Sequence, residues 1–245
     1  MSDELRVATW NVWFGPYQFM RRGEALLAEL ARREVDVIAL QEVTPELLAL
    51  IERAEWVRDA YACSDRAIVG YDVLLLSRRE VGSFAMIELP TMMGRRLLVA
   101  ELACGLTVAT VHLESLRDRA SWRATQLGII LPWLAETYPD ALLVGDMNFG
   151  ADDAVESAII AADPQVIDVW PALHPGDAGF TIDSDINSMR LAASGIPAHE
   201  RLDRVFLRAQ RWRATAIERL GTEPIDDVGT FISDHFGLLA TLRTD

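Results

Sequence analysis

The chain has 245 residues, 51% of them hydrophobic, and a formal net charge of −14 with arginine as its sole strongly basic residue type. That is core material for a single domain spanning 1–245, with no apolar run long enough to span a membrane and a polar start, Met1 to Arg6, that lacks a basic leader. The acidic balance argues against coating nucleic acid through a broad basic face, though not against acting on one phosphate, and Cys63 and Cys104 fit no metal or disulfide spacing, so a cytoplasmic monomer is expected.

In chain order, "LRVATWNV" alternates as a strand and "RRGEALLAELARRE" sets Leu26, Leu27 and Leu30 at helical spacing. "VDVIALQEV" reads as a buried strand, and "TPELLALIERA" as a helix with Thr44 as cap and Pro45 in its first turn. Then "IVGYDVLLLSR", "SFAMIEL", "RLLVAEL" and "LTVATVHLES" follow as strands without intervening helices, which suits antiparallel pairing. A helix from Ser121 to about Leu131 is expected to stop at Pro132. "ALLVGD" reads as a strand that Gly145 ends sharply, "DDAVESAIIAAD" as a helix, and "LDRVFLR", "RATAIERL" and "FGLLATL" as closing strands. Between Pro175 and Arg201 no periodicity survives, and a structureless stretch that long in a compact domain is more often functional than accidental. Two half-chains that mix strands with a few helices predict an α/β sandwich, two sheets face to face with helices outside.

Several apolar strands end on a polar residue: Asn11 in "TWN", Glu42 in "LQE", His112 and Glu114 in "HLES", Asp146 and Asn148 in "GDMN", and Asp234 and His235 in "SDH". Taken singly, each has an ordinary explanation as a turn former, a helix-start carboxylate, a core histidine or a strand cap. Together they form a chemical inventory. Carboxylates helped by an amide suit Mg²⁺ or Mn²⁺, which take oxygen ligands. An aspartate can orient or deprotonate water, and histidines can donate to phosphoryl oxygens as charge develops. Asp146 and Asn148, two residues apart, lie on one side of an extended chain. The implied reaction is metal-assisted attack of water on a phosphate ester.

The motifs "TWN", "LQE", "HLES", "GDMN", "LDR" and "SDH", in that order from Thr9 to His235, resemble those of the endonuclease/exonuclease/phosphatase superfamily. The likeness is closest to 5′-tyrosyl-DNA phosphodiesterases, through "GYDVLLLSR", "VIDVWPAL" and "LDRVFLR". This resemblance implies a four-layered α/β sandwich of two mainly antiparallel sheets, with the site at one edge. It implies Glu42 as metal ligand with Asn11 and Asp234 beside it, Asp146 activating water, and Asn148 on the phosphate. His235, held by Asp203, would stabilise the transition state, and His112 would contact the phosphate from the opposite side. Tyr71, Ser115, Arg95, Arg96 and Arg190 are candidate substrate contacts, against the alternatives of a core aromatic and ordinary solvated arginines. The implied substrate is a DNA 5′ end or a nucleotide-like phosphate ester, with no membrane partner.

Two departures bear on substrate choice. The tyrosyl-DNA enzymes carry an arginine shortly after "GD-x-N", where this chain has Phe149, Gly150, Ala151, Asp152 and Asp153. Their aromatic wall in "YTWD" is matched here by "FTID", with Ile182 in the wall position. A nuclease, a phosphatase acting on a sugar, inositol or lipid phosphate, and a binding-only pseudoenzyme are the competing readings. The complete set of Glu42, Asp146, Asn148, Asp203 and His235 argues against the last.

Overall fold

A computed structural model describes residues 3–65 and 67–244. The first half supplies β1 (Glu4–Asn11), α1 (Phe19–Arg32), β2 (Val37–Val43), α2 (Pro45–Arg53), α3 (Glu55–Ala60), β3 (Ala62–Cys63) and β4 (Asp72–Ser77). It continues with β5 (Val81–Glu88), β6 (Arg96–Leu102), β7 (Thr107–His112), α4 (Ala120–Thr137) and β8 (Ala141–Asp146). Then follow α5 (Ala154–Ala161), β9 (Ile167–Asp168), α6 (Val169–Leu173), β10 (Ile182–Asp183), α7 (Met189–Ser194) and β11 (His199–Glu200). Strands β12 (Asp203–Arg208), β13 (Trp212–Leu220) and β14 (Gly237–Thr244) close the fold.

One six-stranded sheet has the order β13-β14-β1-β2-β4-β3 and the other β5-β6-β7-β8-β12-β9. Pairing is mainly antiparallel; β1 and β2 run parallel, as do β7 and β8, each pair joined through a helix, α1 or α4. The inner faces meet through Leu5, Val7, Val37, Leu75, Leu98, Val108, Val144 and Leu238. Outside, Leu26, Leu30, Leu47 and Ile51 of α1 and α2 pack on Ile38, Leu40 and Leu74, while Leu127, Ile130 and Leu134 of α4 pack on Val99, Ala109 and Leu143. The result is helix, sheet, sheet, helix, as the alternation of apolar residues predicts. Among the described residues no helix is long and apolar enough to cross a membrane.

Local chemistry accounts for the start of α2 and for one deviation. Thr44 accepts the Leu47 N–H ahead of Pro45. Pro132 does not end its helix, which runs on to Thr137. Its ring opposes the carbonyl of Gly128, a residue on the solvent face with open space around it, so that carbonyl can tilt toward water. Between Pro175 and Arg201 the chain is built from pieces too short to show a period, the two-residue strands β10 and β11, which pair, and the single-turn α7.

In the bend between α4 and β8, Asp140 accepts the backbone N–H groups of Gln210 and Arg211 at 2.6 and 2.9 Å and Arg211 Nε at 2.7 Å. Although burial opposes ionisation, these donors hold its carboxyl below the usual carboxylate range. Asp140→Ala should lower stability by about 2 kcal/mol through the stranded donors. A folded-state pKa below the unfolded one means that this stabilisation is present above the ordinary carboxylate pKa and lost as pH falls through the folded value. Thermal melts of both proteins should therefore differ at pH 7 and converge in acid.

Candidate active site

The candidate residues are gathered by register. His112, at the end of β7, lies beside Asp146 of β8, and Asp146 lies beside Asp203 of β12. Asp146 is the last residue of β8, whose bounds are those of the expected strand "ALLVGD". Gly145 is required for a different reason from a turn: at φ 139° in mid-sheet, a Cβ there would stand 2.0 Å from the Val111 carbonyl oxygen. On the facing sheet, a bulge after Leu40 puts Glu42 at φ 64° and turns its side chain out of the normal alternation. Asn148 has φ 53°, a conformation asparagine tolerates better than most side chains.

Asn11 joins the two sheets. Its Nδ2 donates to Glu42 Oε1 at 3.1 Å and to Asp146 Oδ2 at 2.9 Å, while its Oδ1 accepts the Trp13 N–H at 3.0 Å. Asn11 thus spaces two carboxylates and spends an oxygen lone pair on Trp13. Ser233 Oγ donates to the Asn11 carbonyl at 2.6 Å, and Trp10 Nε1 to the His235 carbonyl at 2.9 Å, which tie the "SDH" loop to β1.

Protonation states follow from these neighbours. Burial works against ionisation of Asp146, yet His235 and the amides of Asn11 and Asn148 hold its carboxyl below the usual range. His235 is also buried, which disfavours the imidazolium, but Asp203, Asp234 and Asp146 lift it to about 10. Its Nδ1 donates to Asp203 Oδ2 at 2.7 Å, leaving Nε2 4.0 Å from both Asp146 and Asp234. His112 is the opposite case, driven by burial to about 3 against the pull of Asp146, with Arg95 adding to the fall. Arg95 Nη1 donates to His112 Nδ1 at 3.1 Å, and a guanidinium only donates, so the neutral ring carries its proton on Nε2, 3.5 Å from Asp146 Oδ2. Arg95→Met should release that tautomer and lower kcat by about tenfold or more with a smaller change in KM, measured by steady-state kinetics.

Burial raises the Glu42 carboxyl, with Asp234 adding repulsion, although the Phe14 N–H, Asn11 and His235 partly offset this. A buried, oxygen-rich pair that repels itself is the donor set a hard divalent cation offsets. Glu42 and Asp234 fit such an ion. Among the described residues, Asp146, Asp203 and His235 bring ligand atoms within 4.8 Å of one another. The Asp203–His235 hydrogen bond makes that group a relay more than a cage. Asp183, Asp185 and His199 form a second such group at the hairpin.

The other expected residues divide. Tyr71 stacks on Phe14 at 4.7 Å and lies 6.5 Å from the His112 ring, and Ser115 Oγ accepts from Arg95 Nη2 at 2.8 Å, so Tyr71, Ser115 and Arg95 border the site. Arg95 is buried and not a solvated arginine. Arg96 is ion-paired with Asp72. Ile182 is corrected: at 1% exposure it presents no face to a substrate, because the two-residue β10 turns it into the interior. Glu114 is buried on Thr91 Oγ1, Met92 N and Gln126 Nε2, and holds the loop that carries Arg95. Arg190 lies 3.5 Å from Asp234.

Arg22 and Phe14 were not anticipated. Arg22 donates to the carbonyls of Tyr17, Val12, Ile232, Trp13 and Gly15, which clamps the loop that presents Phe14 N to Glu42 Oε2 at 3.0 Å. Burial lowers Arg22 to about 10, against Asp234 and Glu42, and it stays charged at neutral pH. The sequence held a signal for it: Arg22 occupies the apolar stripe of α1, four residues before Leu26, where a charge has to be doing something specific.

A family model described as "Endonuclease/Exonuclease/phosphatase family" matches residues 8–235. The human tyrosyl-DNA phosphodiesterase 2 is 30% identical over 96% of this chain, and the mouse protein 28% identical over 99%. The chain spans about two thirds of either relative, 67%. Among solved structures, D. rerio TDP2 complexed with single strand DNA product superposes with a TM-score of 0.89 at 27% identity, covering 98% of this chain and 99% of that one. The human Nocturnin catalytic domain, at 15% identity and a TM-score of 0.77, shares the fold.

Proposed function

The chain belongs to the endonuclease/exonuclease/phosphatase family, and on that premise we propose that it is an Mg²⁺- or Mn²⁺-dependent phosphodiesterase that processes blocked DNA 5′ ends. The observation that carries this reading is the bridge of Asn11 between Glu42 and Asp146, which puts a metal-type carboxylate and a water-activating carboxylate from different sheets on one side-chain amide. The tyrosyl-DNA relatives support the DNA-end substrate.

When bound, a divalent ion at Glu42 and Asp234 supplies Lewis-acid polarisation of the phosphoryl oxygens. The chain's own groups supply the rest. Asp146, ionised and fixed by Asn11 and by the Asn148 N–H at 2.9 Å, orients the attacking water and takes its proton as the new P–O bond forms, while the bond from phosphorus to the blocking group's oxygen breaks and that oxygen leaves with the electron pair. His235, a cation whose Nδ1 is engaged by Asp203, turns Nε2–H toward the phosphate and stabilises the charge that gathers there. His112 donates as a neutral group from Nε2 on the other side. Asn148 donates one Nδ2 hydrogen to the Leu113 carbonyl and keeps the second for the phosphate.

The test is a substrate panel with Mg²⁺ and with EDTA: a 5′-tyrosyl oligonucleotide, an abasic duplex, a plain single strand and p-nitrophenyl esters. Cleavage of the 5′-tyrosyl bond, abolished by EDTA, is expected. Hydrolysis of phosphomonoesters alone would replace the reading with a phosphatase.

A further inference from the structure

A groove of about 600 Å³ runs along segments that leave the site directly. Gly150, Asp152 and Asp153 follow Asn148 in sequence, and Glu200 and Arg201 precede Asp203. Phe180 adjoins Thr181, whose Oγ1 accepts the N–H groups of Leu202 and Asp203 at 3.1 Å. A substrate chain that left the phosphate past Asn148 toward Gly150 would meet this groove.

Its charges are wrong for a polyanion. Asp152, Asp153, Asp177 and Glu200 line it, and the guanidiniums among them are already engaged. Arg201, 7% exposed, donates to both carboxylate oxygens of Asp168 at 2.9 Å and to the Ala178 carbonyl, and Arg117 is ion-paired with Glu200. A second or third phosphate in this groove would sit among carboxylates well within a Debye length of about 10 Å at 0.1 M salt. The groove also offers rings: Phe180 and His199 meet edge to face with centroids 5.8 Å apart, enough surface for one base.

We propose that this groove is a charge filter, which makes the enzyme favour DNA ends whose scissile phosphate is followed by one nucleoside or a few, and penalises each further phosphate of a longer strand. The inference rests on the phosphodiesterase reading and narrows its substrate class. Gly150 offers a way to reverse it, since a Cβ there would have only Asp153 Oδ2 within 4 Å, at 3.8 Å, and so has room for a side chain.

The test has two arms. In the first, fluorescence anisotropy follows binding of labelled 5′-phosphorylated oligonucleotides of one, three and ten nucleotides at low and at raised salt. Affinity that does not improve with length, and improves with salt for the ten-mer, is expected; a positive groove would show the reverse salt dependence. In the variant carrying Gly150→Arg and Asp152→Asn, the ratio of ten-mer to mononucleotide affinity should rise about tenfold. Wild-type affinity for the ten-mer at least tenfold above that for the mononucleotide would overturn the filter. The second arm measures kcat/KM for p-nitrophenyl thymidine 5′-phosphate and for 5′-tyrosyl oligonucleotides of the same lengths, where the same ranking is expected. Failure to hydrolyse any of these esters with Mg²⁺ or Mn²⁺ would overturn the phosphodiesterase reading, with the binding arm still deciding the filter.

Discussion

Replacing Asp146 by Asn should lower kcat by about a thousandfold, the range general-base removal commonly spans, with the fold retained. The substitution keeps the volume and one oxygen but removes the proton acceptor and the charge that His235 faces at 4.0 Å. KM should move little, because phosphate contacts through Asn148, His112 and His235 remain, and a loss confined to kcat marks a group that acts in the transition state. Circular dichroism of the variant should match the parent. Activity within tenfold of wild type would show that Asp146 is not the water-activating group.

Substitution of Glu42 by Gln should separate function from stability. Even residues that merely orient metal ligands are worth ten- to a hundredfold, so the Mg²⁺ concentration for half-maximal activity should rise by more than about a hundredfold. The metal-free protein should become more stable. Burial and Asp234 raise the Glu42 carboxyl. A raised folded pKa means that the stability is full below the unfolded value and is lost as pH rises through the folded one, so above the ordinary carboxylate range the Glu42 carboxyl is a liability. An increase in Tm of about 2 °C or more is expected without metal, and the Tm gain that Mg²⁺ gives the wild type should vanish. A Tm that falls, with Mg²⁺ stabilisation intact, would place the ion elsewhere.

Much of this site was legible because its parts are local. An apolar run that ends on Asn11, Glu42, His112, Asp146 or His235 is visible without knowing what lies across the cleft, and the motif order identified the sandwich. What was illegible depends on approach between distant segments. Glu42 reaches the cleft through a bulge, at φ 64°, that no propensity encodes. Arg95 looked like a surface arginine because its partners, His112 and Ser115, are 17 and 20 residues away. Ile182 was assigned to a substrate wall because a strand of two residues has no alternation from which to read its inward side. Gly145 read as a turn glycine, yet the constraint comes from the backbone of Val111 in the neighbouring strand.

Asn11, Glu42, Asp234 and His235 sit on or beside strands of one sheet, whereas His112, Asp146, Asn148 and Asp203 belong to the other. Neither sheet holds a working half. During refolding, a collapsed species with one sheet formed, or with both formed but undocked, carries near-native secondary structure and no chemistry. Recovered turnover therefore serves as a clock for the last event, sheet docking, and should trail the far-ultraviolet circular dichroism signal in a stopped-flow experiment.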